Sequence, residues 1–298
     1  MTYQRLDALP GCRILKNEPM SGHTSFQIGG PADRMVTVYD MSQLQAVLAV
    51  SREEEIPLFL LGRGSNILVS DRGYRGIVLR LDGDFKEIRV RAEGLEAGAG
   101  ASLAALCKTA RDHGLSGVSF AYGIPGSVGG ALFMNAGAYG GEMKQVVAQC
   151  RYVDKGGREG SLQVSEMDLG YRQSRFQQEE KLITAVSFRL TPGDPELIRA
   201  EMEELMAKRR AKQPYTAASG GSTFKRPAAG YAAAMIEDCG LKGCSVGDAE
   251  VSEKHGGFII NRGKASCQDV LNLVAKVQET VQAKTGVLLE CEIRRLGD

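Results

Sequence analysis

From Leu115 to Gly141 the chain reads LSGVSFAYGIPGSVGGALFMNAGAYGG, with no charged residue in 27 positions and Gly at eight of them. Length and lack of charge would suit a membrane span. Glycine at that density, together with Pro125 and Asn135, would break a simple helix. The reading that fits is buried, irregular backbone wrapped around a ligand. Gly lets main-chain N–H groups come within hydrogen-bond distance of a bound molecule. Successive N–H groups make an anion-binding nest, and pyrophosphate is a common occupant. A Gly-rich turn between strands is the plainer alternative.

Two familiar phosphate motifs can be tested, and both fail. A Walker A loop needs a Lys after its last Gly, and none occurs in this stretch before Lys144. The Rossmann fingerprint needs a third Gly. After Gly98 and Gly100 that position is Leu103, and the run Gly62–Asn66 (GRGSN) also lacks it. This second loop follows an apolar run at 56–61 and precedes another at 67–69, so it reads as strand, Gly loop, strand. It could form a second wall of one cofactor site.

The 298 residues suit two or three domains. Lys plus Arg is 37 and Asp plus Glu is 36, so no basic excess draws the chain to nucleic acid or anionic lipid. The opening MTYQRLDALP has no apolar core of a secretory signal, and a cytoplasmic location is expected. Seven scattered cysteines suit reduced thiols rather than a disulfide framework. The histidines (His23, His113, His255) do not stand at metal-ligand spacing, so no metal is expected.

Along the chain, Ser42 and Gln45 read as a capping box opening a helix that Pro57 ends. Strands are expected at 77–81 and 88–90, and a helix from Ser102 to His113 with Gly114 as its stop. The region 146–190 is strand-rich. Thr191–Pro195 reads as a linker whose Asp194 caps a charged helix running to about Lys212. A short helix then ends at Gly240 and a strand covers 258–260. Ser266 and Asp269 open a last helix, with Val270, Val274, Val277 and Val281 on one face. A final strand is expected over 287–294, its apolar face Val287, Leu289, Cys291 and Ile293, its polar face including Glu290, Glu292 and Arg294. The order is α+β in two blocks with a boundary near 191–195.

Some polar residues stand where chemistry could occur. Arg172, in a loop before the strand at 182, could clamp a carboxylate through its planar fork. Read alone, the loop is better taken as a surface loop carrying two arginines. Ser222 follows Gly220 and Gly221 and precedes Phe224. No Gly-x-Ser-x-Gly elbow makes it a nucleophile, but a proton-donating hydroxyl fits, as does an ordinary turn.

Taken together, several long motifs resemble the UDP-N-acetylenolpyruvoylglucosamine reductases (UDP-N-acetylmuramate dehydrogenases), flavoproteins of peptidoglycan synthesis. The resemblance spans Thr24–Asp33 (TSFQIGGPAD), Leu61–Val69 (LGRGSNILV), Tyr122–Gly130 (YGIPGSVGG), Met134–Glu142 (MNAGAYGGE), Tyr171–Phe176, Gly221–Lys225 (GSTFK), Val251–His255 (VSEKH) and Leu289–Arg294 (LECEIR). It implies an α+β fold: a two-subdomain FAD-binding region of the vanillyl-alcohol-oxidase (PCMH) type, over 1–76 and 77–193, then an α+β substrate-binding domain over 194–298. The chain resembles the second, shorter type.

The resemblance also implies the site. Non-covalent FAD would be held by Gly62, Arg63, Gly64, Ser65, Asn66, Tyr122, Gly123, Ile124, Pro125, Gly126, Ser127, Gly130, Asn135 and Gly137. Arg172, assisted by Glu292, would stabilise the charge that spreads into the enolpyruvyl carboxylate after hydride from NADPH reaches C3, and Ser222 would protonate C2. Tyr171, Lys212 and Lys225 would contact the UDP-sugar, Lys212 near its diphosphate. Neither nucleic acid, membrane nor an obligate protein partner is implied. Arg226 stands where Asn is frequent, and Ala233 and Ala234 where Gly-Lys is frequent. Two other functions compete. A flavin-dependent alcohol oxidoreductase would need a substrate-side base, and no His lies in the Gly loops. A catalytically silent sugar-nucleotide binder would have no use for Ser222.

Overall fold

The computed structural model describes residues 2–298 of the chain. The first elements are α1 (Gln4–Asp7), β1 (Arg13–Pro19), β2 (Pro31–Val38), α2 (Met41–Glu53), β3 (Leu58–Leu60), β4 (Ile67–Val69) and β5 (Tyr74–Leu81). There follow β6 (Ile88–Arg91), β7 (Gly94–Gly98), α3 (Leu103–Asp112), β8 (Leu115–Ser116), α4 (Val128–Phe133), β9 (Gly137–Ala138) and β10 (Gly141–Glu142). The middle of the chain forms β11 (Val147–Asp154), β12 (Glu159–Gln163), β13 (Lys181–Arg189), β14 (Thr191–Pro192) and α5 (Pro195–Lys212). The last part forms β15 (Ala218–Ser222), α6 (Ala232–Asp238), β16 (Ser245–Val246), β17 (Ala249–Val251), β18 (Phe258–Asn261), α7 (Cys267–Thr285) and β19 (Arg294–Leu296). The mixture is α+β, as the segment pattern predicts. Among the described residues, no helix is long and apolar enough to cross a membrane.

Two compact units result. The first gathers the chain up to Lys16, Arg34–Gly62 and Gly76–Lys208; the second gathers Asn17–Asp33, Arg63–Arg75 and Arg209–Asp298. Helix α5 thus clusters with the first unit as far as Lys208.

One sheet has the order β1-β2-β5-β3, and β3 lies parallel to β5 with Leu58 opposite Ile77. A second, antiparallel sheet has the order β12-β11-β13-β7-β6. Fully buried Val36, Val38, Ile77 and Leu79 meet Leu44 and Val47 of α2, and Leu95, Leu103, Leu106 and Val186 continue the same apolar core. Helix α3 is set by Ser102, whose Oγ accepts from Ala105 N at 3.1 Å, and by Gly114 at φ +61 after its end.

The second unit has an antiparallel sheet ordered β15-β18-β17-β16, on which α7 packs. Ser266 and Asp269 form the expected capping box at 3.0 and 2.9 Å, and Val270, Val274, Val277 and Val281 are all buried. Gly286, at φ +75, closes the helix. Phe26, Leu68 and Leu289 join this core, and β19 pairs in parallel with β4, Arg294 opposite Ile67.

Three expectations need correction. Helix α2 is capped by Asp40, which accepts from Gln43 N at 2.8 Å, rather than by Ser42. Asp40 stands nearer the chain's entry, and its carboxylate also takes the Ser42 hydroxyl at 2.7 Å. The Gly-rich stretch contains a real if short helix, α4. Ser127 caps it, and Gly129 is there because an added Cβ would lie 2.8 Å from the Ala99 Cβ. The last strand is regular only over β19. Before it, residues 287–293 contribute only an isolated bridge between Cys291 and Phe224.

Candidate active site

In the first unit, strand β3 ends at a glycine with no space beside it. A Cβ on Gly62 would lie 2.5 Å from the Ser127 Oγ, so the two Gly-rich loops touch there. The Ser127 hydroxyl accepts from Gly130 N at 3.2 Å. Gly123 and Ser127 are buried, Tyr122, Ile124 and Gly126 half-buried, and Pro125 and Gly130 exposed. Gly137 crosses its neighbour closely: an added Cβ would lie 2.6 Å from the Gly141 carbonyl.

Asn135 is buried with φ +40. Its Nδ2 donates to Gly170 O at 2.9 Å and to Glu142 at 3.2 Å, and its Oδ1 accepts from Lys144 N at 2.9 Å. The side chain is therefore spent on its own protein surroundings.

One of those partners belongs to the turn that presents Arg172. Gly170 and Gln173 exchange backbone hydrogen bonds at 3.2 Å, leaving Tyr171 and Arg172 at the tip. Arg172 has φ +54. A left-handed residue that is not Gly costs about 1–2 kcal/mol, so the fold holds this arginine against its preference. The Tyr171 ring is 52% exposed, and the guanidinium carbon lies 5.0 Å from its centroid. The arginine stays half-buried, and the pair presents a cation and an aromatic face side by side.

The other catalytic candidates lie in the second unit. Ser222 ends β15 in register with Phe258, after a bulge that begins at Ser219. Gly221 supplies φ +81 within the bulge. Such a bulge turns the next side chain away from the regular pleat, and the Ser222 hydroxyl donates to no protein acceptor among the described residues. Gly220 lies under the Phe26 ring, where a Cβ would approach to 2.4 Å. Ser25 anchors the same strand: its Oγ donates to Ser219 O at 2.6 Å, and its carbonyl accepts from Ser219 N at 3.0 Å.

The segment before β19 runs antiparallel beside Ser222. Glu292 N donates to Thr223 O and Lys225 N to Glu290 O, each at 2.8 Å. Asn66 is bonded to Glu292 and to the residue two positions after it, its Nδ2 donating to Glu292 O at 3.2 Å and its carbonyl accepting from Arg294 N at 3.0 Å. One hydrogen-bonded strip thus joins Asn66, Glu292 and the residue after Ser222. Gly64 fixes its own loop, with φ +63 and room for no Cβ, which would fall 2.1 Å from His23 O.

The loop has donors to spare. Among the described residues, the backbone N–H groups of Gly62, Arg63, Gly64, Ser65 and Asn66 reach no protein acceptor. Consecutive free N–H groups with no Cβ at two of five positions fit a dinucleotide diphosphate.

Lys225 is ion-paired with Glu290, and Lys212 is exposed at the end of α5. Burial lowers the titration range of Arg294 and pushes the Cys291 thiol up to about 11. Of the histidines, His23 meets Glu18 at 2.8 Å, and His113 bonds its own helix at Thr109 O. His255 is half-buried, accepts from Gly257 N at 3.1 Å, and burial lowers its pKa below the ordinary value. Residue patterns did not single out Ser25, Phe26 or Gln177, because their roles are contacts with carbonyls and rings far along the chain.

Comparison with known proteins identifies the class as that of the FAD-containing oxidoreductases. Residues 32–161 match the family model described as FAD binding domain. Residues 213–296 match the model for the UDP-N-acetylenolpyruvoylglucosamine reductase C-terminal domain. The chain is 46% identical over 298 residues to the UDP-N-acetylenolpyruvoylglucosamine reductase of Syntrophomonas wolfei, covering all of both chains. It is 46% identical to that of Caldanaerobacter subterraneus over 96% of this chain and 94% of the relative. The crystal structure of the Thermus caldophilus enzyme superposes with a TM-score of 0.83 at 35% identity, over 96% of this chain and 99% of that one. The chain belongs to the UDP-N-acetylenolpyruvoylglucosamine reductase family.

Proposed function

We propose that this protein reduces UDP-N-acetylglucosamine enolpyruvate to UDP-N-acetylmuramate with NADPH, a cytoplasmic step of peptidoglycan precursor synthesis, and needs no obligate protein partner. Family membership sets the reaction, and one observation carries the residue assignment. Asn66 of the proposed flavin loop, Glu292 and the segment bearing Ser222 are tied together by three backbone and side-chain hydrogen bonds.

Non-covalent FAD, when bound, accepts hydride from NADPH and supplies it to C3 of the enolpyruvyl group. Gly62, Arg63, Gly64, Ser65 and Asn66 would hold it through free N–H groups, together with the run Tyr122–Ser127, Gly130, Asn135 and Gly137. Residues 1–76 and 77–193 are assigned to cofactor binding and 194–298 to the sugar nucleotide.

The protein's own groups manage charge and protons. Arg172 engages the substrate carboxylate through its two-pronged fork. Charge developing at C2 delocalises into that carboxylate, and a preorganised guanidinium stabilises it without reorganisation at the moment of reaction. Glu292 assists Arg172. Ser222 donates its hydroxyl proton to C2. A hydroxyl is a weak acid, but an enolate carbon is a strong base, so the pKa gap is small enough to cross. Tyr171, Lys212 and Lys225 contact the UDP-sugar.

The test is an anaerobic titration of the yellow protein. NADPH should bleach the flavin, and the enolpyruvyl substrate should restore its colour with one equivalent of product. Bleaching without restoration would point to another flavin-dependent activity, and a colourless protein that binds the UDP-sugar would leave only a binder.

A further inference from the structure

The turn that carries Arg172 is attached to the far end of α4. Phe133 is the last residue of that helix, and its carbonyl receives two side-chain donors, Ser174 Oγ at 2.6 Å and Gln177 Nε2 at 2.9 Å. Carbonyls at a helix C-terminus have no intrahelical partner, so these donors complete the helix. The same Gln177 Nε2 donates to the carbonyl of Arg172 itself at 3.0 Å. Its two N–H bonds are thus divided between the helix end and the strained residue. Asn135, two residues past the helix, holds the other side of the turn at Gly170 O. A residue at φ +54 without glycine relaxes unless its surroundings hold it. The opposite end of α4 begins at Ser127, against Gly62.

We propose that Gln177 is a positioning residue for Arg172. With Ser174 and Asn135 it fixes the 170–173 turn to the C-terminal end of α4, and so sets the guanidinium at a defined distance from the loop that opens the helix. The catalytic consequence rests on Arg172 being the carboxylate clamp; the positioning itself does not.

The experiment uses the full-length flavoprotein with Gln177→Met, which keeps the length of an exposed side chain and removes both donors. Gln177→Glu, isosteric and donor-free, is the second variant. Hydrogen exchange reads the turn directly through the Gln173 amide, which bonds to Gly170 O. That amide should exchange at least about tenfold faster, while amides of α3 stay unchanged. Rapid-reaction kinetics should show NADPH reduction of the flavin within about twofold of normal, and reoxidation by substrate slowed about 10- to 100-fold, the size of effect a small misplacement produces. Adding Gln177→Met to Arg172→Lys should cost nothing further in reoxidation.

Unchanged exchange in both variants overturns the proposal, as do additive losses in the double variant. Faster exchange with normal reoxidation, where Arg172→Lys is itself crippled, overturns it too. Faster exchange together with normal reoxidation by Arg172→Lys would keep the positioning and sink the reading of Arg172.

Discussion

Ser222 sits behind a glycine at φ +81, a left-handed backbone that favours glycine, in a bulge of the sheet. Its hydroxyl has no structural task among the described residues, so Ser222→Ala should leave the urea midpoint unchanged. Loss of one positioned proton donor typically lowers a rate about a hundred- to ten-thousand-fold. Flavin reoxidation should fall by that amount while NADPH reduction persists, and near-normal turnover would return Ser222 to the status of a turn residue. His255 makes a different prediction, one of stability. Burial, the main cause, holds its folded pKa below the ordinary 6.5, and Lys242 adds to this while Glu237 opposes it. The unfolded state therefore binds the proton more readily. The stability associated with neutral His255 is fully present above pH 6.5 and declines as pH falls from there toward the folded pKa. His255→Asn, which can still accept from Gly257 N, should flatten the dependence of the urea midpoint between pH 7 and 5. A mutant curve parallel to wild type would remove His255 from that dependence. Residue type was legible at both sites, since a Ser among glycines and an Arg in a loop are visible in the sequence. The positive φ of Arg172 was not, because nothing within YRQSRF requires it and the groups that hold the turn are Gln177, itself fixed on Phe133 O, and Asn135.

Elements with their own start and stop chemistry were legible, and elements made by distant pairing were not. Ser102 with Gly114, and Ser266 and Asp269 with Gly286, bound α3 and α7 by local hydrogen bonds. Strand β19 exists because it pairs with β4, more than two hundred residues earlier, and no pattern within 287–298 contains that partner. Helix α4 was hidden for a related reason. Its glycines argue against a helix by propensity, but packing against Ala99 requires one of them. Two effects therefore compete in Gly129→Ala. Replacing a helical Gly should stabilise by about 1 kcal/mol, whereas overpacking a tight contact costs about 1–3 kcal/mol. The added Cβ would meet Ala99 Cβ at 2.8 Å and Ala99 O at 3.2 Å, in the turn directly after β7, where Ala99 N is tied to Thr184 O at 2.9 Å. Packing should win, with net destabilisation seen as a lower urea midpoint and weaker retention of flavin. A higher midpoint would mean that the contact relaxes more easily than its geometry implies.

At the scale of the whole molecule, the family, the cofactor and the α+β class followed from motifs spread over nearly the whole chain, while the grouping of segments into units did not. Residues 17–33 and 63–75 join the C-terminal third because Ser25 bonds Ser219 and Asn66 bonds Glu292, contacts without a periodic signature. The cofactor's mode of attachment is argued at this scale as well. A covalent flavin bond needs a nucleophile, and a thiol acts as one only when ionised. Burial pushes Cys107 and Cys150 up to about 12 and Cys267 and Cys291 up to about 11, so these four are neutral thiols near pH 7. No Cys or His occurs in Gly62–Asn66 or Tyr122–Gly137. Acid precipitation should therefore release all the yellow colour into the supernatant, and colour kept in the pellet would disprove non-covalent binding. A cofactor held only by contacts also stabilises by mass action. Free FAD at a hundred times its Kd should add about 2.7 kcal/mol. For a chain of this size each kcal/mol shifts Tm by about 2–4 °C. Stripped protein should thus melt about 5–10 °C lower and regain the difference as FAD is titrated back. A Tm indifferent to added FAD would mean that the Gly-rich loops are not where the flavin's binding energy is spent.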